Sequence, residues 1–220
     1  MSAAQHKVES ALLRLKVFPL PSVVLFPGTS VPLHVFEPRY RALVADALAG
    51  DGVIAMARFE PGWESDYAGR PPLKHLVCAG VIESHQALED GRFNIVLQGV
   101  ARVRVLRELS TDKPYREVEG AWVHESAGEG LEEAGARQAV MTLLPHLSDE
   151  GAQHLGGLVR GVHGSVLADV LASNLAADAV VRERLFEQLD VGARFADVTG
   201  LLLDIGARLT RDKPAQGLLN

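Results

Sequence analysis

The sequence predicts an α+β fold, with strands in the first half of the chain and helices in the second. Between positions 12 and 123, apolar residues alternate with polar ones or form short runs bounded by Pro and Gly, the pattern of β-strands. Composition changes at residues 126–130, and apolar residues then recur at helical spacing. Strands and helices that are segregated in this way favour an α+β architecture over a doubly wound sheet.

The first half is predicted to hold roughly six strands with one helix inserted after the second or third. The strand-like runs cover residues 12–20, 23–26, 31–36, 53–59, 75–84, 93–105 and 115–123. Glu37-Pro38 opens the inserted helix, because Pro fits a first helical turn where its missing N–H has no partner to lose. Gly80 suggests a β-bulge, and Asp90-Gly91 predicts a hairpin turn.

The second half is predicted to be helical. Helices are expected over residues 131–147, over 166–175 with Ser165 as N-cap, over 179–189 with Asp178 as N-cap, and over 194–209. These patterns predict a β-rich domain at 11–125, a helical domain at 126–210, and flexible tails at 1–10 and 211–220.

Composition and charge limit the classes of function. Of the 220 residues, 47% are hydrophobic and 23% charged, which is typical of a globular protein, and the net charge of −6 disfavours binding to nucleic acid. The single cysteine, Cys78, permits no intramolecular disulfide. The polar N-terminus carries no apolar signal segment, and no apolar run is long enough for a membrane span. We therefore expect a cytoplasmic protein without a membrane partner.

Two strings near the start carry a family resemblance. VFPLPSVVLFPG at residues 17–28, followed by VPLHVFEPRY at 31–40, resembles the opening of the Lon protease N-terminal domain. Residues 81–103 resemble the family's hairpin, and residues 167–190 are similar to its helices. The similarity extends from about Leu13 to Leu209, and the first string is the most specific part of it.

The resemblance implies a six-stranded, PUA-like β subdomain, a sheet or open barrel with one inserted helix, followed by a helical bundle. In full-length Lon this module precedes an ATPase and a protease and helps to recognise substrates. The chain contains no Gly-Lys pair, which a G-x-x-x-x-G-K-[ST] phosphate loop requires, and no domain for a Ser–Lys dyad. We expect a stand-alone binding module with no catalytic residue, no cofactor and no metal.

The implied partners are unfolded or tagged protein segments, with a protease or chaperone as further candidates and a weak homodimer left open. A loop rich in Gly and Pro holds Phe59, Trp63 and Tyr67, although the whole chain is only 5% aromatic. Such aromatics either form a lid on the core or an exposed anchor for partners, and the sequence leaves both open. With Phe36 and Arg39 near the first helix, they form the candidate protein- or peptide-binding surface.

Other constellations are weaker. His75 and Cys78 have the spacing of a metal-ligand pair but lack a second pair, and Ser22 or Ser30 with His34 and Asp46 lacks a nucleophile elbow. Glu37 at a helix start is more simply explained by the helix dipole, with Arg39 or Arg41 as its ion-pair partner. The alternative function is a PUA-like RNA- or nucleotide-binding module. For that function a basic patch would come from four arginines, although alternating arginines more often mark a solvated strand face: Arg58, Arg102, Arg104 and Arg107.

Overall fold

The structure, a computed structural model, describes residues 1–67, 69–126 and 130–211. It confirms the α+β class, because within these ranges six strands lie in the first part of the chain and five of the seven α-helices follow them. The chain divides into two compact units, Met1–His124 and a second that starts at Glu125. This division falls beside the boundary expected from the change in composition at Ser126.

The N-terminal unit is built on a mixed sheet of six strands in the order β2-β5-β4-β3-β1-β6. The strands are β1 (Leu15–Pro19), β2 (Ser30–Val35), β3 (Val53–Ala57), β4 (Leu76–Ala87), β5 (Phe93–Glu108) and β6 (Arg116–Trp122). Because β6 also pairs with the second half of β5, five strands close into a barrel. Strand β2 pairs only with the first half of β5 and so lies at an edge, where its Pro32 is tolerated.

Two helices accompany the barrel, α1 (Ala3–Ala11) and α2 (Pro38–Leu48). The core contains Val8 and Ala11 from α1, together with inward-facing residues from the strands: Leu15, Val17, Val53, Ala55, Val77, Ala79, Val103 and Val118. Register between β4 and β5 shifts at Ala79/Gly80, so the predicted bulge at Gly80 is confirmed. A Cβ at Gly80 would lie 2.6 Å from the Gln98 carbonyl oxygen, which explains the need for Gly there.

The prediction of a flexible tail at residues 1–10 was wrong. Ser2 and Gln5 form a reciprocal capping box that starts α1, and Val8 is fully buried. The signal was present as Ser followed three residues later by Gln, a pattern that satisfies two otherwise unpaired amides. Burial of Val8 and Ala11 in the barrel core then holds the helix in place.

The strand predicted at residues 23–26 is also wrong, because this segment is a docked turn. The Thr29 hydroxyl exchanges hydrogen bonds with the backbone of Phe26, and Gly28, with φ at +78°, donates its amide to the Gly99 carbonyl over 2.9 Å. Proline at position 27 has no amide to donate to a strand ladder. The apolar run is therefore explained by burial of Leu25 and Phe26.

The described part of the C-terminal unit contains five α-helices: α3 (Leu131–Leu143), α4 (Asp149–Leu158), α5 (Gly164–Leu175), α6 (Ala179–Glu187) and α7 (Val191–Arg211). Asp178 caps α6 as predicted, since its carboxylate accepts from the amides of Val180 and Val181. Ser165 is not an N-cap, because α5 begins one residue earlier and its Gly164 amide binds the Glu133 carboxylate over 2.8 Å. The expected tail at 211–220 lies, apart from Arg211, outside the described residues.

Candidate functional site

The start of α2 positions the first candidate residues. Glu37 has extended backbone and its carbonyl accepts from the amides of Tyr40 and Arg41, while Pro38 occupies the first turn. The helix therefore begins as the sequence predicted. Its first turn directs Tyr40 into the core, where the ring packs 4.4 Å from that of Phe18, and leaves Arg39 at the surface beside it.

Phe59, Trp63 and Tyr67 form one aromatic cluster. The rings of Phe59 and Trp63 stack with centroids 5.4 Å apart, and the Tyr67 ring meets them edge-on at 6.0 Å and 5.7 Å. A bridge between Phe59 and Leu73 closes the base of the loop, and the Glu60 amide donates to the Pro72 carbonyl over 2.9 Å. The loop is thus held in a defined conformation at its base.

Arg39 and Glu37 connect the aromatic cluster to α2. The Tyr67 hydroxyl donates to one oxygen of Glu37 over 2.9 Å, and Arg39 donates to the other over 3.1 Å. The Arg39 guanidinium lies 5.0 Å above the Tyr67 ring, a cation–π distance. Burial and the nearby Glu37 carboxylate both raise the pKa of Tyr67, so its hydroxyl stays protonated as the donor.

Burial differs within the cluster. Phe59 is buried, whereas Trp63 and Tyr67 are each only partly covered. The loop therefore packs on the core through Phe59 and leaves parts of two aromatic rings at the surface. It combines features of both alternatives that the sequence left open, the lid and the exposed anchor.

Phe36 is not brought into this cluster. Its side chain is 59% exposed, and its described ring contact is with His34 at 6.2 Å, at the end of edge strand β2. It nevertheless directly precedes Glu37, which holds Tyr67. Of the five candidate residues, the structure thus assembles Arg39, Phe59, Trp63 and Tyr67 and places Phe36 outside their contacts.

The prediction that the alternating arginines of β5 mark a solvated strand face is wrong for Arg102. This residue is 2% exposed, and its guanidinium approaches the Phe26 ring, because the docked turn covers that part of the strand. Arg104 and Arg107 are exposed, and Arg107 binds Glu119 over 2.6 Å. The arginines therefore do not form the continuous basic stripe that the RNA-binding alternative would use.

The remaining constellations are dispersed. His34 bonds to Asn94 and Asp46 bonds to Lys113 and Tyr115, so they do not form the triad considered for them. Among the residues that the structure describes, no group of three or more His, Cys, Asp or Glu side chains could hold a metal ion. Within the same ranges, no helix is both long and apolar enough to cross a membrane.

A pocket of about 300 Å³ adjoins Arg39. Its polar lining includes Tyr40, Arg70, Lys113 and Arg116, none of which sequence reasoning singled out as site residues. They come from three parts of the chain, namely α2, the loop before β4, and the start of β6 with the residues just before it, and the fold brings these parts together. No local motif could have indicated the group.

Comparisons with known proteins agree with this architecture. Residues 14–204 match the family model of the ATP-dependent protease La (LON) substrate-binding domain. The Lon protease of Roseiflexus castenholzii is 30% identical over 210 residues, covering 92% of this chain and 25% of that protein. The Lon protease of Desulfosudis oleivorans is 26% identical over 188 residues, covering 83% of this chain and 23% of that protein. The chain thus spans about a quarter of the length of these relatives.

Solved structures support the same fold. The N-terminal domain of Mycobacterium avium complex Lon protease aligns with a TM-score of 0.65 at 19% identity, covering 87% of this chain and 98% of that one. A Lon N-terminal domain protein from Xanthomonas campestris aligns with a TM-score of 0.61 at 22% identity, covering 85% and 97%. The family match extends over most of the chain, and the fold agrees with it. The chain therefore belongs to the family of ATP-dependent protease La (Lon) substrate-binding domains.

Proposed function

We propose that this chain is a non-catalytic module that binds unfolded or tagged protein segments. It acts in the cytoplasm as an adaptor or regulator of proteolysis, together with a protease or chaperone. Its contact surface is the aromatic cluster with Arg39, and Phe36 is a second apolar contact. The observation that carries the proposal is the partly exposed ring pair of Trp63 and Tyr67. Ring contacts with the buried Phe59 hold the pair in place, and so does the hydrogen bond from Tyr67 to Glu37, which Arg39 also binds.

The residue types and their fixed geometry suit protein recognition. Trp, Tyr and Arg dominate the binding energy of protein interfaces. Trp and Tyr offer large contact areas with few rotatable bonds, and Arg offers several hydrogen-bond donors on one planar group. Rings that are already held in place lose little further conformational entropy when a partner binds. An extended segment lying across Trp63 and Tyr67 would meet a preformed apolar face flanked by a guanidinium.

The comparisons support the class of ligand. The family model names substrate binding, and the relatives named above are Lon proteases that this chain matches over about a quarter of their length. The matching region corresponds to the substrate-binding domain, and the proposal extends that role to this chain. No step in this role needs a cofactor or a catalytic side chain.

A binding titration with a permanently unfolded probe, reduced and carboxymethylated α-lactalbumin, tests the proposal. Fluorescence anisotropy should show binding to the wild type and about tenfold or more weakening in Trp63→Ala, the loss expected for an interface anchor. Leu106→Ala is the matched control, because Leu106 is 55% exposed on β5 and lies outside the aromatic cluster. Equal affinities of the two variants, with folding intact by circular dichroism, would overturn the assignment of this surface.

A further inference from the structure

The pocket beside Arg39 is lined by positive charge. Arg39 from α2, Arg70 and Lys113 from loops and Arg116 from β6 all line it, and every described charged residue in its lining is cationic. Basic side chains repel one another, so four of them around about 300 Å³ need negative charge close by. The surrounding carboxylates show how much of that charge the protein itself supplies.

Three carboxylates form ion pairs with these four cations, and none of the three belongs to the pocket lining. Arg39 pairs with Glu37 at 3.1 Å and Lys113 with Asp46 at 2.7 Å. Arg116 and Arg70 share Glu108, at 2.5 Å and 3.5 Å. Four cations paired with three carboxylates leave the described group with an excess positive charge. At 3.5 Å from Glu108, Arg70 has the longest of the four ion-pair distances, so its guanidinium is the one that the protein neutralises least.

Tyr40 supplies a second, independent observation. Its side chain is 3% exposed, yet its buried hydroxyl has no hydrogen-bond partner among the described residues. Buried hydroxyls are normally bonded, because an unmet donor loses its bond to water without a replacement. Burial raises the pKa of Tyr40, so this hydroxyl is a donor, and it belongs to a residue of the pocket lining.

We propose that this pocket binds a carboxylate of a bound peptide, either its chain terminus or an acidic side chain, with Tyr40 and Arg70 as the main donors. A carboxylate matches the planar fork of a guanidinium and accepts readily from a hydroxyl. It also supplies the missing negative charge. An apolar group would displace water from the cations and offer them no acceptor in its place.

The inference rests on the proposed function, because the pocket and the aromatic cluster share Arg39. The guanidinium of Arg39 lies 4.6 Å above the Tyr40 ring and 5.0 Å above the Tyr67 ring. A peptide that packs on Trp63 and Tyr67 can therefore place a carboxylate in the neighbouring pocket. The volume of about 300 Å³ suits one side chain or a chain end.

Isothermal titration calorimetry with one short, N-acetylated, aromatic-containing peptide in three versions tests the inference. The first has a free C-terminus and no acidic residue, the second an amidated C-terminus and one internal Glu, and the third an amidated C-terminus and no acidic residue. We expect at least one of the first two to bind about tenfold or more tightly than the third, and the stronger of them identifies the source of the carboxylate.

Two variants connect that preference to the pocket. Tyr40→Phe removes only a hydroxyl that has no described partner, so folding should be retained while the preference for a carboxylate falls about tenfold or more. Arg70→Gln should reduce the same preference. Arg107→Gln is the charge-matched control, since Arg107 is also exposed and paired with a Glu but lies outside the pocket.

The outcomes separate the two proposals. If all three peptides bind equally well, the carboxylate pocket is overturned and the protein-binding role stands. If the carboxylate preference is present but unchanged in both Tyr40→Phe and Arg70→Gln, the pocket is likewise overturned as its source. If none of the peptides binds and the unfolded probe does not bind either, the protein-binding role falls and the pocket inference falls with it.

Discussion

Arg194 donates a hydrogen bond from Nη1 to Oδ1 of Asp169 over 2.8 Å, and both side chains are buried in the C-terminal unit. The other end of the guanidinium reaches Glu125 and the Gln188 carbonyl. One arginine on α7 thus joins α5, the segment after α6 and the first residue of the unit. The Leu167-Ala168-Asp169 part of the family-like helices is explained by this contact, since Asp169 is the acidic partner.

Replacing Arg194 with Leu should strongly destabilise the C-terminal unit. The change leaves the Asp169 carboxylate buried without its guanidinium partner, and breaking a buried ion pair in this way costs about 3–5 kcal/mol. Urea denaturation followed by circular dichroism measures the loss in the free energy of unfolding. Arg184→Leu is the control, because that guanidinium is 63% exposed and lies 3.8 Å from Asp197; its removal should change stability by less than about 0.5 kcal/mol.

Gly99→Ala should damage the N-terminal unit by steric overlap. A Cβ at Gly99 would collide with the Phe26 carbonyl, where the docked turn approaches β5, and overpacking of this kind costs about 1–3 kcal/mol or more. Gly200→Ala, in the middle of α7 with open space around the Cβ position, should instead stabilise by up to about 1 kcal/mol. Thermal unfolding compares the two, and a loss of stability in both would contradict the steric explanation.

Elements with a strong local signal were predictable from sequence. The alternating strands, the Pro38 helix start and the Asp178 cap depend on neighbouring residues, and the structure has all of them. The strand predicted at 23–26 failed because burial of Leu25 and Phe26 in a docked turn produces the same apolar run as a strand. A local pattern does not distinguish these two reasons for burying side chains.

The candidate site was predictable only in part. The aromatic loop stood out by composition. The hydrogen bond that fixes it, from Tyr67 to Glu37, joins residues 30 positions apart in the sequence. The pocket depends on separations that are longer still, since Arg39 and Arg116 line it together although 77 positions separate them in the sequence. Arg102 shows the converse, because its position in an alternating strand indicated exposure and a turn from another segment covers it.

Glu133 gives the C-terminal unit a predicted dependence on pH. Partial burial raises the pKa of Glu133, but hydrogen bonds from the Gly164 amide, Arg137 and His163 outweigh it and hold the pKa below its ordinary value. Because the folded-state pKa is lower than the unfolded one, the ionised carboxylate stabilises the fold at pH values above the ordinary carboxyl range. That stabilisation is lost as pH falls through the folded-state pKa.

Glu133→Gln should therefore lower the free energy of unfolding at neutral pH and reduce its decline on acidification below about pH 4.5. Urea denaturation at a series of pH values measures both effects. Glu150→Gln on α4 is a control, because Glu150 is exposed in the first turn of its helix. A variant at position 133 that retains the wild-type slope against pH would show that Glu133 does not carry the effect.

Tyr67→Phe should loosen the aromatic loop with little loss of global stability. The change deletes the 2.9 Å hydrogen bond to Glu37 while keeping the ring that packs on Phe59 and Trp63, so we expect a loss of about 1 kcal/mol. Hydrogen exchange should become faster in peptides that span residues 60–67, because the side-chain link from the loop to α2 is weakened. Tyr115→Phe is the matched control, since its hydroxyl binds the Asp46 carboxylate over 2.6 Å outside the loop. If both variants change exchange at 60–67 equally, the bond from Tyr67 to Glu37 is not what holds the loop, and the preformed binding face loses its physical basis.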